Sequence, residues 1–167
     1  MLEGCGRGAV SIRRYDGDGR HAKKLIRACG QFNYASGVPL AFEIHSEQRL
    51  LFIRGHGIVT QGERLRAMLA WLNDPDYECC EDALFDVTAA KTTPRVAELR
   101  QLIAILEQMP RAGPRRLAIV TSKPIAFGVA HVFGKLLRVN AIPLQVKVFM
   151  DAQSAWRWLR PDLLSSV

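Results

Sequence analysis

Ser122 and Lys123 are neighbouring residues whose types could support nucleophilic chemistry. They directly follow a predicted apolar strand, at the kind of edge where open α/β sheets often bind ligands. A lysine close to a serine can activate the serine hydroxyl. Ser122 also precedes a predicted helix, however, where serine commonly serves as a cap or loop residue, and no G-x-S-x-G segment is present. We therefore predict no catalytic residue and no enzymatic activity, and we assign both residues to the edge of a ligand site.

The spacing of the histidines and cysteines does not favour a bound metal. The four histidines lie on separate predicted elements, without the H-E-x-x-H spacing that places two ligands on one helical face. The cysteines form no C-x-x-C pair, and Cys79 and Cys80 are adjacent. We predict that the protein binds no metal and no cofactor. We also predict that it is cytoplasmic and that its thiols are reduced. The alternative for the adjacent thiols is a redox-active pair.

A carboxylate and two threonines lie near the start of the second predicted helix. Asp86 ends a predicted strand, where it could position a ligand or stabilise a loop. Thr93 suits the helix N-cap and Pro94 the first helical position. Thr92 or Thr93 could accept a phosphate or bind another anion there, because negative charge is favourable at a helix N-terminus. The alternative for Thr93 is a plain N-cap.

The elements that position these residues follow from the apolar pattern. From Leu40 the chain alternates between apolar and polar residues, and a second apolar strand follows closely, which predicts an antiparallel hairpin. Thr60 and Glu63 then predict a capping box at the start of the first helix. Every later strand is followed by a helix, which favours parallel strands. The order ββαβαβαβα predicts an α/β fold, with a five-stranded mixed sheet and four helices packed on it.

The third predicted helix presents two different faces. Its core stripe is predicted from helical spacing to comprise Val129, Val132, Phe133, Leu136 and Leu137. Phe127, His131, Gly134 and Arg138 fall together on the opposite side. Arginine and aromatic residues are enriched at interfaces, and a glycine permits close approach of another backbone. We predict that these four residues bind a protein partner or a second copy of the chain, with a plain solvent-exposed face as the alternative.

The charge is unevenly distributed along the sequence. Residues 1–37 carry seven Lys or Arg and three Asp or Glu, whereas residues 38–167 carry sixteen and thirteen. We predict a basic, disordered N-terminal extension over residues 1–37, or alternatively a natural start near Val38, and one α/β domain over residues 38–167. The mildly basic domain lacks the dense basic face of a nucleic-acid-binding protein. No apolar run reaches the length of a membrane span, so we predict no transmembrane segment.

Several segments together resemble a known family. They are the predicted element order, the strand with Asp86, the segment RRLAIVTSKPIAFGVAHVFGKL and the closing segment VKVFMDAQSAWRWL. This pattern resembles the SpoIIAA-like branch of the STAS (sulphate transporter and anti-sigma factor antagonist) superfamily over roughly residues 40–160. The resemblance implies a compact sheet covered by helices, without intrinsic catalytic activity.

The resemblance also implies a function. STAS domains act as protein-binding switches, and in one branch a serine in an Asp-Ser-Ser-Gly motif at the second helix is phosphorylated. This chain has Lys91-Thr92-Thr93-Pro94 there, so Thr92 and Thr93 match that serine only by position. We predict a non-enzymatic regulatory or protein-binding domain. Since related folds bind lipids in a groove, the alternative is a domain that binds a lipid or small anionic metabolite near Asp86 and Ser122.

Overall fold

The computed structural model describes residues 38–108 and 112–161. The predicted extension, residues 1–37, lies outside the described residues, so the boundary near residue 38 stays a prediction. The described chain forms five strands and four α-helices in the predicted order: β1 (Leu40–His45), β2 (Leu50–Gly57), α1 (Gln61–Leu72), β3 (Asp82–Ala90), α2 (Val96–Glu107), β4 (Arg116–Val120), α3 (Pro124–Val139), β5 (Gln145–Phe149) and α4 (Ala152–Leu159). Short 3-10 turns follow β1 and precede β3.

The five strands form one mixed sheet in the order β1-β2-β3-β4-β5. β1 pairs with β2 in antiparallel orientation, and the remaining neighbours are parallel. The predicted fold class is therefore confirmed. Because each parallel strand is added beside the preceding one, right-handed connections place α1, α2 and α3 on the same face of the sheet. Only α4, which follows the last strand, is free to cover the other face.

Strand alternation divides the core into two layers. On the face of α1 to α3, Phe42 packs edge-to-face with Trp71 of α1, with ring centroids 5.9 Å apart. On the other face, Trp156 of α4 packs on a separate cluster of sheet residues: Leu50, Phe52, Leu84, Ala118 and Val120. The continuous apolar strands of this sequence are thus explained by burial on both faces.

The N-terminal cap predicted for α1 is observed, whereas the cap predicted for α2 is not. Thr60 caps α1 as predicted: its hydroxyl accepts a hydrogen bond from the backbone of Glu63, whose carboxylate accepts one from the Thr60 backbone. The predicted N-cap at Thr93 is wrong, because α2 begins at Val96 and Arg95 is the N-cap residue. The backbone N–H of Arg95 donates to the Glu98 carboxylate at 2.8 Å.

The face of α3 that meets the sheet is rotated from the predicted stripe. Ala130 and Leu137 are its buried residues, and a Cβ atom on Gly134 would lie 3.3 Å from the Cβ atom of Val146 in β5. Gly134 therefore faces the sheet, and its assignment to an outer binding surface is wrong. The physical reason is that small residues let α3 approach β5 closely, whereas the predicted stripe was built from large side chains. None of the described helices is long and apolar enough to cross a membrane.

Candidate functional site

An apolar cavity of about 170 Å³ lies between the sheet and helices α1, α2 and α3. Its floor is formed by sheet residues, including Leu51, Ile53, Phe85, Leu117 and Ile119. Its roof is formed by three leucines of α2: Leu99, Leu102 and Leu106. The α2 helix packs on α3 more closely than on the strands, so its leucine side chains span the gap to the sheet.

Small residues keep the cavity open. Gly55, Ala83, Ala90, Ala126 and Ala130 all line it, and none has a side chain longer than one methyl group. They come from three different elements, β2, β3 and α3, yet they face the same space. Protein interiors are normally packed as densely as organic crystals, so a space of this size beneath one helix is a feature that requires an explanation. The side chains that line it are mostly aliphatic or aromatic, as in many small-molecule sites.

The polar groups of the cavity gather at one end. Thr92 and Thr93 follow β3, Lys123 follows β4, and Arg64 lies in the first half of α1, after β2. Because β2, β3 and β4 are parallel, these residues meet beyond the carboxyl ends of the strands. Tyr77 precedes β3 and so lies at the opposite end. Among the described lining residues, the cavity therefore has one basic end and one uncharged end.

Thr92 ties two loops together at the basic end. Its hydroxyl donates to the backbone oxygen of Val59 at 2.7 Å and accepts from the backbone nitrogen of Val59 at 2.9 Å. Arg64 Nη2 donates to the same hydroxyl at 3.4 Å. A phosphate on Thr92 would therefore disrupt the contact between the β2–α1 and β3–α2 loops. Thr93 also lines the cavity, and both threonines remain predicted anion-binding residues.

Arg64 connects α1 with the roof of the cavity. Its Nη1 atom lies 3.6 Å from Glu98 Oε2 of α2, and the arginine side chain is 11% exposed. Burial lowers the pKa of the Arg64 guanidinium, while the nearby Glu98 carboxylate acts to raise it. A guanidinium stays protonated in proteins, so Arg64 keeps its charge and its contact with α2. The sequence analysis missed Arg64; the available signal was its position four residues before Met68, on the inner face of α1.

Of the three residues predicted at the ligand-site edge, Asp86, Ser122 and Lys123, the structure places Lys123 on the cavity. It is half-buried at the start of α3, and its ammonium group donates to the carbonyl oxygen of Ala90 at the end of β3. Ser122, by contrast, is exposed and does not line the cavity. The two neighbours therefore do not act on the same space.

Asp86 does not belong to this site. The prediction that it ends β3 is wrong, because the strand continues for four residues to Ala90. Strand alternation points Asp86 to the face covered by α4, where it lies 3.4 Å from Arg54 Nη2. Its carboxylate also accepts hydrogen bonds from the backbone and hydroxyl of Thr88, at 3.0 and 2.6 Å. The assignment of Asp86 to the ligand-site edge is therefore corrected to a structural role.

The predicted partner-binding residues of α3 are brought together only in part. The rings of Phe127 and His131 lie 4.7 Å apart, and His131 Nδ1 lies 3.0 Å from the backbone oxygen of Phe127. His131 and Arg138 are exposed, whereas Gly134 faces β5. Three of the four residues thus remain candidates for a binding surface.

The two adjacent thiols differ in burial, since Cys79 is half-buried and Cys80 is buried. Cys80 is buried, and burial together with the nearby Cys79 raises the pKa of the Cys80 thiol to about 12. Since the thiolate is the reactive form, Cys80 is inert near neutral pH. Among the described residues, no group of three or more His, Cys, Asp or Glu side chains could hold a metal ion.

Tyr77 closes the uncharged end of the cavity against Gly113. Gly113 has a φ angle of 105°, and a Cβ atom there would lie 2.5 Å from the Tyr77 ring. Burial raises the pKa of the Tyr77 phenol from 10.0 to about 12, and the charge of Cys80 adds to this shift. Because the pKa of Tyr77 is higher in the folded protein than in the unfolded chain, the neutral phenol stabilises the fold fully below pH 10.0. This contribution to the free energy of unfolding is lost as the pH rises through about 12.

We therefore expect Tyr77 to ionise later than an ordinary tyrosine. In a spectrophotometric titration of tyrosinate absorbance, the difference between wild type and Tyr77→Phe should have its midpoint near 12. When the same difference is measured in denaturant, its midpoint should shift back to about pH 10. A midpoint near 10 in the folded protein would show that Tyr77 is solvated and does not close the cavity.

Comparisons with known proteins extend this description only slightly. No family model matches the chain, and no curated protein matches it. One similar solved structure is an uncharacterized protein from the DUF3478 family with a SpoIIAA-like fold from Shewanella loihica PV-4. It is 22% identical, the match covers 72% of this chain and 93% of that chain, and the TM-score is 0.46.

Proposed function

We propose that this chain is a binding domain that holds a small apolar ligand in the cavity beneath α2, without catalytic turnover. The observation that carries the proposal is the cavity itself: about 170 Å³ of space lined mainly by aliphatic and aromatic side chains. For comparison, an engineered cavity of ~150 Å³ lined by apolar side chains stays dry and binds benzene. A few polar groups at one end of an apolar cavity are typical of small-molecule sites.

The regulatory, protein-binding role predicted from the resemblance is the second candidate. It is favoured by exposed apolar residues on α3, where Ile125 is 77% and Val139 is 81% exposed. Exposed His131 and Arg138 lie on the same helix. We rank this role second because the residues do not form a continuous patch with Gly134. The cavity, in contrast, joins residues from α1, α2, α3 and the sheet around a single space.

A cavity-filling substitution tests the first candidate. Ala126 is half-buried and lines the cavity, so a phenylalanine there would occupy part of the space. We expect Ala126→Phe to weaken binding of the neutral fluorescent probe N-phenyl-1-naphthylamine by about tenfold or more, which corresponds to ~1.4 kcal/mol. The measurement is a fluorescence titration of the full chain.

The matched control is Ala97→Phe, which adds the same side chain to an exposed position of α2. We expect the control to bind the probe as the wild type does, and both variants to keep the wild-type circular dichroism spectrum. If the wild type fails to bind the probe, or if Ala126→Phe binds it equally well, the cavity is not a ligand site.

A further inference from the structure

We propose that the ligand of this cavity is an amphiphile with a single anionic head, such as a medium-chain carboxylate. Its head would lie at Lys123 and its apolar tail beneath α2, directed toward Tyr77. This inference rests on the proposed function and adds the chemical class and the orientation of the ligand.

The first argument is the charge of the lining. Among the described residues that line the cavity, Arg64 and Lys123 are cationic and none is acidic. The Arg64 guanidinium already has Glu98 at 3.6 Å and the Thr92 hydroxyl at 3.4 Å. For Lys123, in contrast, no carboxylate of the described chain lies within 4.0 Å. Within the described residues, Lys123 is therefore the lining cation whose charge is not balanced by a nearby carboxylate.

The second argument is the hydrogen-bonding capacity at the same end. An ammonium group carries three donors, and that of Lys123 donates to one described acceptor, the carbonyl oxygen of Ala90. Thr93 lines the same cavity, and no hydrogen bond of its hydroxyl is found within the described residues. An anionic oxygen placed here would accept from both side chains. Hydrogen bonds of this charge-assisted kind are roughly twice as strong as neutral ones.

The third argument is the chemistry of the opposite end. Leu102, Leu106, Pro114 and Leu144 line the cavity there with Tyr77, and burial keeps the Tyr77 phenol neutral. A charged or strongly polar tail would lose its hydration without gaining a partner. A cationic ligand would meet two positive side chains at the basic end. An anionic head joined to an apolar tail is the combination that matches both ends.

Octanoate and 1-octanol test this inference because they have equal chain lengths and differ at the head. Both are titrated into the full chain to displace bound N-phenyl-1-naphthylamine. We expect octanoate to displace the probe at a concentration about tenfold lower than 1-octanol, as a hydrogen-bonded ion pair would give. In Lys123→Met the two ligands should become equivalent, whereas Lys123→Arg should keep the preference for octanoate.

The matched control is Lys135→Met, which removes an exposed lysine of the same helix and should keep the wild-type preference. If octanoate and 1-octanol displace the probe equally from the wild-type protein, the anionic head is wrong, while the cavity remains a ligand site. If Lys123→Met keeps the full preference, the head does not lie at Lys123. If the probe itself does not bind, the proposed function fails, and this inference fails with it.

Discussion

Replacing Asp82 by alanine is expected to lower the free energy of unfolding by about 3 to 5 kcal/mol. The Asp82 carboxylate is fully buried and accepts hydrogen bonds from Arg116 Nε at 2.6 Å and Arg116 Nη2 at 2.9 Å. It also accepts one from Arg160 Nη1. Removing this carboxylate takes away the fully buried acceptor that Arg116 and Arg160 share, which is the costly way to break a buried ion pair.

The position of Asp82 explains why the whole fold depends on it. Asp82 opens β3, Arg116 opens β4, and Arg160 follows the last residue of α4. Arg160 also donates to the backbone oxygen of Gln48, just before β2. The carboxylate therefore connects the amino ends of adjacent strands with the end of α4, which covers this face of the sheet. Urea denaturation is the suitable measurement, because urea does not screen the charges.

Glu81→Ala provides the matched control, since it removes the neighbouring carboxylate from an exposed pair. Glu81 Oε1 lies 2.6 Å from Arg49 Nη1, but the two side chains are 52% and 56% exposed. Exposed ion pairs contribute between about 0 and 1 kcal/mol. We therefore expect a loss below about 1 kcal/mol for Glu81→Ala. Equal losses for the two variants would show that burial of Asp82 does not determine its contribution.

The features of the fold that the sequence predicted correctly depend on local patterns. The hairpin of β1 and β2 follows from alternation over a few residues, and the α1 cap from Thr60 and Glu63 lying three residues apart. Parallel pairing follows from the regular insertion of helices between strands. Each of these features is determined within one or two neighbouring elements, so the sequence pattern carries the necessary information.

The predictions that were wrong depend on contacts between distant segments. Thr93 does not cap α2, and the adjacent Thr92 hydroxyl is instead bound to Val59 in the preceding loop region. Asp86 does not end β3, because the strand remains paired with β2 beyond it, with a register shift between Arg54 and His56. Gly134 does not face outward, because Val146 of β5 leaves room only for a small residue. Local propensity contains no information about these partners.

The candidate site was predictable only in part for a related reason. Lys123 was identified because it follows a strand, and the ends of parallel strands are frequent ligand sites. The cavity itself is space that side chains leave unfilled. It exists because small residues on separate elements, such as Gly55, Ala90 and Ala130, face one another. Each of these residues alone is an ordinary strand or helix residue, and only the packed structure brings them around one volume.

Leu84→Ala and Leu99→Ala are each expected to lower the free energy of unfolding by about 2 to 5 kcal/mol. Leu84 is fully buried under α4, in the same cluster as Trp156. Leu99 is 3% exposed and forms part of the cavity roof in α2. Both variants lose the same number of methyl and methylene groups. Because Leu99 already borders unfilled space, we expect its loss in the absence of ligand to lie lower in this range than that of Leu84. Urea denaturation measures both.

The two variants should respond differently to an apolar ligand. A ligand that binds only the folded state stabilises it by mass action, and Leu99→Ala enlarges the space that the ligand occupies. We therefore expect 1-octanol to raise the melting temperature of Leu99→Ala by more than that of the wild type. For Leu84→Ala, 1-octanol should raise the melting temperature by the same amount as for the wild type. The space that this substitution creates lies on the opposite face of the sheet, away from the cavity.

The comparison between the variants separates a specific site from general binding to a weakened protein. Both variants are destabilised, so an alcohol that simply prefers loosened apolar cores would stabilise them to the same extent. Equal increments for Leu84→Ala and Leu99→Ala would therefore contradict binding beneath α2. A larger increment confined to Leu99→Ala would mean that the ligand contacts the layer between α2 and the sheet, since the two truncations differ mainly in the face of the sheet on which they lie.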